Sequence, residues 1–429
     1  MLGQPQLPVK KRNSKSVLVI DRCSAEGHHS IYMSMSVAAL ASAGYQVYVS
    51  WLDGNALRAS LREELLNRIT FLPECRGLHW HLTLTVVNAL NRIALGKRAR
   101  EDWPNDFTTL LLCRSFGKFI GSPSTPVFFP YLDAILPTVS PHISKWLFPA
   151  RWCGIFMHPS RLSRGNLPAN KIETLARREA NFGLSTCKSV LVFARMCVTE
   201  LGNKYPRVCF NKLPELIVTE TGCSSLSESI RKTAGSRTVF GFVGGLGKNK
   251  NFKLFLDSAK LLPPDRFMIA AVGHLPPGQY SSSEIEDMDL KRRGLSENNV
   301  LRLDYRIQTE DEFNAILGSF DIVFLVYDSH PFSSNILAKA IALRKAVLVP
   351  SFGAMCELVI ENKWQAACEP TTASVCGTVQ RIAREFRIDD KAHAEYVGTN
   401  GIKTFSSAII ECVEAASCQR RANSHPSHS

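Results

Sequence analysis

Residues 238–259 read TVFGFVGGLGKNKNFKLFLDSA, and the fold turns on how this stretch is parsed. Thr238–Val243 is an apolar run of strand length. Gly244–Lys250 (GGLGKNK) is a glycine-rich turn. Phe252, Phe255, Leu256 and Ala259 then recur at i, i+3, i+4 and i+7, one face of a helix that Asn251 is expected to cap. Further strands are predicted at Arg266–Val272, closed by Gly273, and at Val300–Leu303, Asp321–Tyr327 and Ala346–Val349, with helices over 309–318 and 335–343. Strands that alternate with helices imply a parallel sheet covered on both faces.

The same alternation runs upstream. Val17–Asp21 reads as a buried strand, Ser30–Ala43 as a helix stopped at Gly44, and Gln46–Trp51 as the next strand. Thr108–Cys113, Trp152–Met157 and Ser189–Phe193 are further strand candidates, with a helix over Lys171–Phe182. Between the two series, residues 222–237 (GCSSLSESIRKTAGSR) are small and polar and read as a linker. The expectation is an α/β protein with two Rossmann-like, doubly wound parallel-sheet domains facing across a cleft. They span 17–222 and 238–400 and are joined by a linker over 223–237. An amphipathic helix over 401–418 is expected to pack back on the first domain. Residues 1–16, a basic tail, and 419–429 are expected to be disordered. A chain of 429 residues suits two cores rather than one.

Composition narrows the function classes. Apolar residues make up 45% and charged ones 21%, ordinary globular usage that excludes collagenous or wholly disordered chains. No run of 18 apolar residues is present, and the polar, basic start lacks an apolar segment of the secretory kind. Residues 1–222 carry 27 basic and 15 acidic side chains, against 24 and 23 in the remainder. That field attracts anionic partners, either a phosphorylated substrate or an anionic membrane face. Nucleic acid is not expected, because the cluster Lys97, Arg98, Arg100 has no aromatic platform beside it. The 13 cysteines are odd in number, with no C-x-x-C pair and no completing histidines. Reduced thiols in a cytoplasmic protein, peripheral to the inner membrane face at most, are the expectation, and no metal site is anticipated.

Two loops carry the candidate chemistry. The turn at Gly244, Gly245 and Leu246–Lys250 fits neither the Walker nor the dinucleotide glycine pattern. Glycines nevertheless let backbone approach a ligand closely, and a helix start favours an anion. Lys248 or Lys250 would supply the cation. The second loop, His330–Asn335 (HPFSSN), precedes a helix. Ser333, Ser334 and Asn335 are N-cap residue types whose hydroxyls and amides suit a diphosphate. A plain tight turn and a plain helix cap are the bland alternatives.

The order of these features resembles the group 1, family 4-type glycosyltransferases of the GT-B fold. The likeness covers most of the chain and is strongest over 239–360. That family's first loop reads roughly G-R-L-x-x-x-K. Here Gly244-Gly245-Leu246-Gly247-Lys248-Asn249-Lys250 matches it, with Lys250 on the phosphate-binding lysine and Gly245 in place of arginine. The downstream run Pro331–Val347, continuing to Phe352-Gly353-Ala354-Met355-Cys356-Glu357-Leu358-Val359, matches the donor-binding run. The family's two glutamates, however, are Pro331 and Lys339 here. Lysine cannot accept a hydrogen bond from a ribose, which marks a divergent branch.

The resemblance implies a nucleotide-sugar co-substrate with no other cofactor. It also implies a glycan or lipid-linked acceptor and a retaining, metal-independent transfer. The implied donor-binding residues are Gly244, Gly245, Lys250, Gly273, Arg306, Ser333, Ser334, Asn335 and Lys339. The implied catalytic residue is Lys250, and the implied acceptor-side ones are Gly27, His28 and His29; His158, at the end of the strand Trp152–Met157, is a second catalytic candidate by its position. Glu26 is a further acid/base candidate. The alternative is a catalytically degenerate binding or scaffold protein on the same fold, favoured by the lost glutamates and by Gly245.

Overall fold

The computed structural model describes residues 15–21, 28–51, 54–72, 125–134, 136, 150–163, 167–295, 298–361, 364 and 367–418. The candidate strand Thr108–Cys113 and the basic cluster at 97–100 lie outside them, as do Glu26 and Gly27. By its internal contacts the chain divides into two units. The first draws on Met1–Met157, Thr174–Leu213 and Ser406–Ser429, the second on His158–Glu173 and Pro214–Phe405.

The described residues of the first unit form a sheet of seven strands: β1 (Ser16–Ile20), β2 (Gln46–Ser50), β3 (Ile69–Phe71), β4 (Val127–Phe129), β5 (Trp152–Ile155), β6 (Cys187–Val192) and β7 (Cys209–Lys212). Their order is β3-β2-β1-β4-β5-β6-β7, with every pair parallel. The helix His28–Ser42 ends before Gly44, whose φ of 87° suits a residue without Cβ. The C-terminal helix Ile402–Ser417 runs into this unit, where Lys15 pairs with Glu414 at 2.8 Å and Arg151 donates to the Ser417 carbonyl.

The second unit holds β8 (Thr238–Val243), β9 (Phe267–Val272), β10 (Val300–Arg302), β11 (Ile322–Phe324), β12 (Ala346–Pro350) and β13 (Ala367–Cys368). The order is β10-β9-β8-β11-β12-β13, again all parallel. Alternation along β8 explains its two-sided burial. Val239 and Val243 enter one apolar cluster, with Leu337 and Ile341 of the helix Asn335–Ala342. Phe240 and Phe242 enter the other, with Phe252 and Phe255 of the helix Phe252–Ala259. Gly241 is dictated by space, since a Cβ there would sit 2.2 Å from the Phe320 ring.

Two local expectations are corrected. Residues 223–237 are no linker, because Ser225–Ala234 is a helix capped by the Ser224 side chain, which accepts from the Ser227 amide at 3.3 Å. Leu226, Ile230 and Ala234 recur every four residues, and Ile230 and Ala234 are buried in the sheet-facing cluster. That apolar period is hidden among serines. Asn251 stands before the helix Phe252–Ala259 but makes no side-chain cap. It adopts a left-handed conformation (φ 57°), which asparagine tolerates better than most residues.

Candidate functional site

In both sheets the strand order reverses beside the first strand. An open parallel sheet forms its ligand crevice at such a reversal, beyond the strand carboxyl ends. In the second unit the reversal lies between β8 and β11, and the two singled-out loops leave those two strands. They are tied together, since the Asp328 amide donates to the Asn249 carbonyl at 2.8 Å.

The lysine ambiguity is resolved. Lys248–Lys250 form one short 3-10 turn, in which side chains two apart point different ways. Lys248 reaches Glu284 at 2.5 Å, and Glu284 also closes the capping box with Ser281. Lys250 turns inward over the Tyr327 ring, its Nζ 5.7 Å from the ring centroid. Among the described residues no carboxylate lies within ion-pairing distance of it. Burial alone lowers its pKa, from the ordinary 10.5 to about 8. An ammonium without a carboxylate partner is chemically suited to an anion.

The glycines around it divide by function. Gly244 has φ +103°, and an added Cβ would lie 3.4 Å from the Lys250 Nζ. Gly273 sits against the turn from the neighbouring strand, where a Cβ would meet the Gly244 carbonyl oxygen at 1.8 Å. Gly273 therefore shapes the turn. Gly245 has open space around it, so the absence of the family's arginine is not a steric matter.

The second loop supplies an aromatic and imidazole wall. Phe332 packs edge-on against His158 at 4.3 Å and His330 at 5.5 Å, and Tyr327 meets His330 at 5.5 Å. Burial lowers the His330 pKa to about 4, with the charge of His158 adding to the effect and a hydrogen bond to the Ser333 backbone opposing it. His330 is therefore neutral at pH 7. Burial pushes the Tyr327 hydroxyl up to about 12, and a hydrogen bond with the Ser334 side chain opposes that rise. Lys250 and Ser334 thus touch the same tyrosine.

The expected hydroxyl cradle is changed in detail. Ser334 occupies the N-cap position of the helix Asn335–Ala342 without a side-chain cap. Ser333 Oγ donates to Glu215 Oε1 at 2.6 Å. The Asn335 amide oxygen is buried with no hydrogen-bond partner. The Leu337 amide already donates to the Ser334 carbonyl at 2.9 Å, so the groups chemically suited to an anion are Lys250 and the amides of Asn335 and Ile336 at the start of this helix.

Lys339 is displaced from its expected role. It is 3% exposed, and its ammonium meets the Glu310 carboxylate and lies 5.1 Å from the Phe313 ring centroid. Burial lowers its pKa, to about 8, and the carboxylate beside it works the other way. Arg306 is exposed on the segment after β10, near the turn where the Tyr305 amide donates to the Gly273 carbonyl at 3.0 Å. Pro331 serves through its backbone. Its carbonyl accepts from the Ala354 amide at 2.9 Å, and a Cβ on Gly353 (φ +76°) would collide with that same oxygen at 2.6 Å. On the acceptor side, Gly27 lies outside the described residues, and His28 and His29 are described only as the opening residues of the helix His28–Ser42.

Tyr327, His330, Phe332 and Glu215 escaped the sequence reading. Tyr327 was hidden as the last residue of an apolar run. Glu215 has no local signal at all, since its partner is 118 residues away. Among the described residues no group of three or more His, Cys, Asp or Glu is placed to hold a metal ion, and no helix is long and apolar enough to cross a membrane.

Solved structures share the architecture along almost the whole chain. The α,α-trehalose-phosphate synthase (UDP-forming) of Burkholderia vietnamiensis aligns with a TM-score of 0.61 at 11% identity, covering 94% of this chain and 100% of that one. The chain has the GT-B fold. HepE of Anabaena, crystallised with UDP-glucose, aligns with a TM-score of 0.60 at 14% identity over 93% and 99% of the two chains. Sucrose-phosphate synthase of Thermosynechococcus elongatus gives 0.59 at 14% identity over 94% and 96%. No family model matches the chain, and no curated protein matches it.

Proposed function

We infer that this chain is a glycosyltransferase that moves a sugar from a nucleotide-sugar donor to an acceptor hydroxyl. The observation that carries this reading is Lys250, a partly buried lysine facing Tyr327 without a carboxylate partner among the described residues, at the reversal point of a parallel sheet. The likeness in fold to proteins crystallised with UDP and UDP-glucose supports the choice of ligand class.

When the bond from the sugar to the diphosphate breaks, negative charge grows on the departing phosphate oxygen. Lys250 and the amides opening the helix Asn335–Ala342 stabilise that charge as fixed groups, with no reorganisation at the moment of reaction. Gly244 and Gly245 let the turn approach the phosphates, and Gly273 holds the turn in shape. Arg306 lies on the base side. His158, edge-on to Phe332, orients the acceptor hydroxyl or a sugar oxygen. The acceptor side lies with Gly27, His28 and His29, the acceptor is a glycan or lipid-linked sugar, and the outcome is retention. The protein cations make a metal ion unnecessary, and the basic first half holds the enzyme at an anionic membrane face.

The test is calorimetric titration of UDP, GDP and ADP and their sugar conjugates against wild type and Lys250→Ala. One nucleotide family should bind, and the variant should lose affinity for it. No binding at millimolar ligand refutes the reading. Binding without turnover on any glycan or lipid-linked acceptor favours the degenerate binding protein.

A further inference from the structure

A serine hydroxyl has one proton to donate and two lone pairs to accept with, and Ser333 has already placed its proton. Its Oγ donates to Glu215 at 2.6 Å. Glu215 is 5% exposed and firmly held. Its amide donates to the Asn400 side-chain oxygen at 2.7 Å, and its carbonyl accepts from the Gly401 amide at 2.8 Å. Asn400 is fixed in turn by its own Nδ2, which donates to the Tyr396 carbonyl at 2.9 Å. The loop is thus moored to the Glu215 carboxylate, and the Glu215 backbone to the Asn400 side chain and the Gly401 amide.

This arrangement runs against simple phosphate binding. A buried carboxylate near an anion site repels the anion, and it takes from Ser333 its one side-chain proton. What Ser333 retains is accepting capacity, which suits a ligand hydroxyl. We propose that Glu215 is a positioning residue that fixes Ser333 as a hydrogen-bond acceptor, so that this loop selects the sugar hydroxyls of a nucleotide sugar over the bare nucleoside diphosphate. The proposal rests on the nucleotide-sugar reading above. It divides the labour in one loop, with charge recognised by Lys250 and the helix amides and hydroxyls recognised by Ser333.

The experiment measures the dissociation constants of UDP and UDP-glucose, and of the guanosine and adenosine pairs, for wild type, Ser333→Ala, Glu215→Ala and Glu215→Gln. Ser333→Ala should weaken the sugar nucleotide about tenfold and leave the bare diphosphate within about twofold. Glu215→Ala frees the Ser333 proton for a phosphate oxygen, so the bare diphosphate should bind as well or better while the preference for the sugar conjugate disappears. Glu215→Gln keeps a carbonyl oxygen that accepts the Ser333 proton and should keep most of the preference. A merely structural latch would move both ligands together. An equal loss for both ligands in Ser333→Ala, or no change for either, overturns the proposal while leaving the nucleotide-sugar reading standing. Failure of wild type to bind any nucleotide overturns that reading and the proposal with it. Thermal unfolding of each variant identifies any that fails to fold. Ser333→Ala, which deletes a single oxygen, decides the question by itself if Glu215→Ala does not fold.

Discussion

Replacing Lys250 with methionine should make the ligand-free protein more stable and abolish its anion site. Burial lowers the Lys250 pKa from 10.5 to about 8, which corresponds to about 3 kcal/mol against the charged form. Methionine has similar length and no charge to desolvate. It forfeits the contact of the ammonium with the Tyr327 ring, about 1 kcal/mol. The net expectation is a gain on the order of 2 kcal/mol, or about 5 °C in the unfolding temperature of a unit of this size. The sign of the pH dependence follows from linkage. The folded pKa lies below the unfolded one, so between pH 8 and 10.5 the unfolded chain binds more protons than the folded chain. Wild-type stability should rise with pH across that window, relative to its value below pH 8. The difference between variant and wild type should shrink over the same range. Thermal scans without ligand at pH 7, 8, 9 and 10 on both proteins measure this, and titration of the diphosphate should show a loss of about 30-fold or more in the variant. A variant that is less stable than wild type at pH 7 would refute the reasoning, because the ammonium would then be a structural support and not an unpaired charge awaiting a ligand.

The remaining predictions concern packing and charge. Ser224→Ala should cost about 1 kcal/mol, seen as a lower unfolding temperature, because it removes the cap of a helix whose Ile230 and Ala234 are buried. Gly273→Ala should fail to give soluble protein, since its Cβ would fall on the Gly244 carbonyl. Gly245→Ala, in open space, should unfold within about 0.5 kcal/mol of wild type by denaturant titration. Lys339→Glu, the residue type of the resembling family, should cost about 3 kcal/mol by setting a carboxylate in a buried position against the partly exposed carboxylate of Glu310. The double variant Lys339→Glu with Glu310→Lys should recover most of that loss in a denaturant titration.

Much of the fold was legible because its signals are local. The β8 strand, the glycine turn and the helix Phe252–Ala259 announce themselves within 22 residues of sequence, and β9 to β12 follow from the same alternation, whereas β13, two residues long, carries no such pattern. The helix Ser225–Ala234 was missed because only three of its ten residues carry the apolar period, and serine is read first as turn material. At the site, Lys250 was legible from its place in a glycine turn. Its separation from Lys248 was not, because that depends on Glu284 from a later helix. Which serine protons remain available was likewise illegible, since the answer lies with Tyr327 for Ser334 and with Glu215 for Ser333.

Lys339 shows why a residue in a matched position can carry a different meaning. In an alignment to the resembling family it is a charge reversal at a ligand contact. In the structure it is the buried half of an ion pair whose other half, the partly exposed Glu310, arrives from the first turn of the helix Glu310–Gly318. The cost of burying an ion pair is offset only when each charge faces the other, so the two positions must change together. The reversal at 339 is therefore explained by core electrostatics without any appeal to the donor. Loss of the family glutamate is then no argument by itself that the site has decayed. Activity then depends on Lys250, which faces no carboxylate among the described residues, and on Ser333, whose oxygen keeps an acceptor to offer.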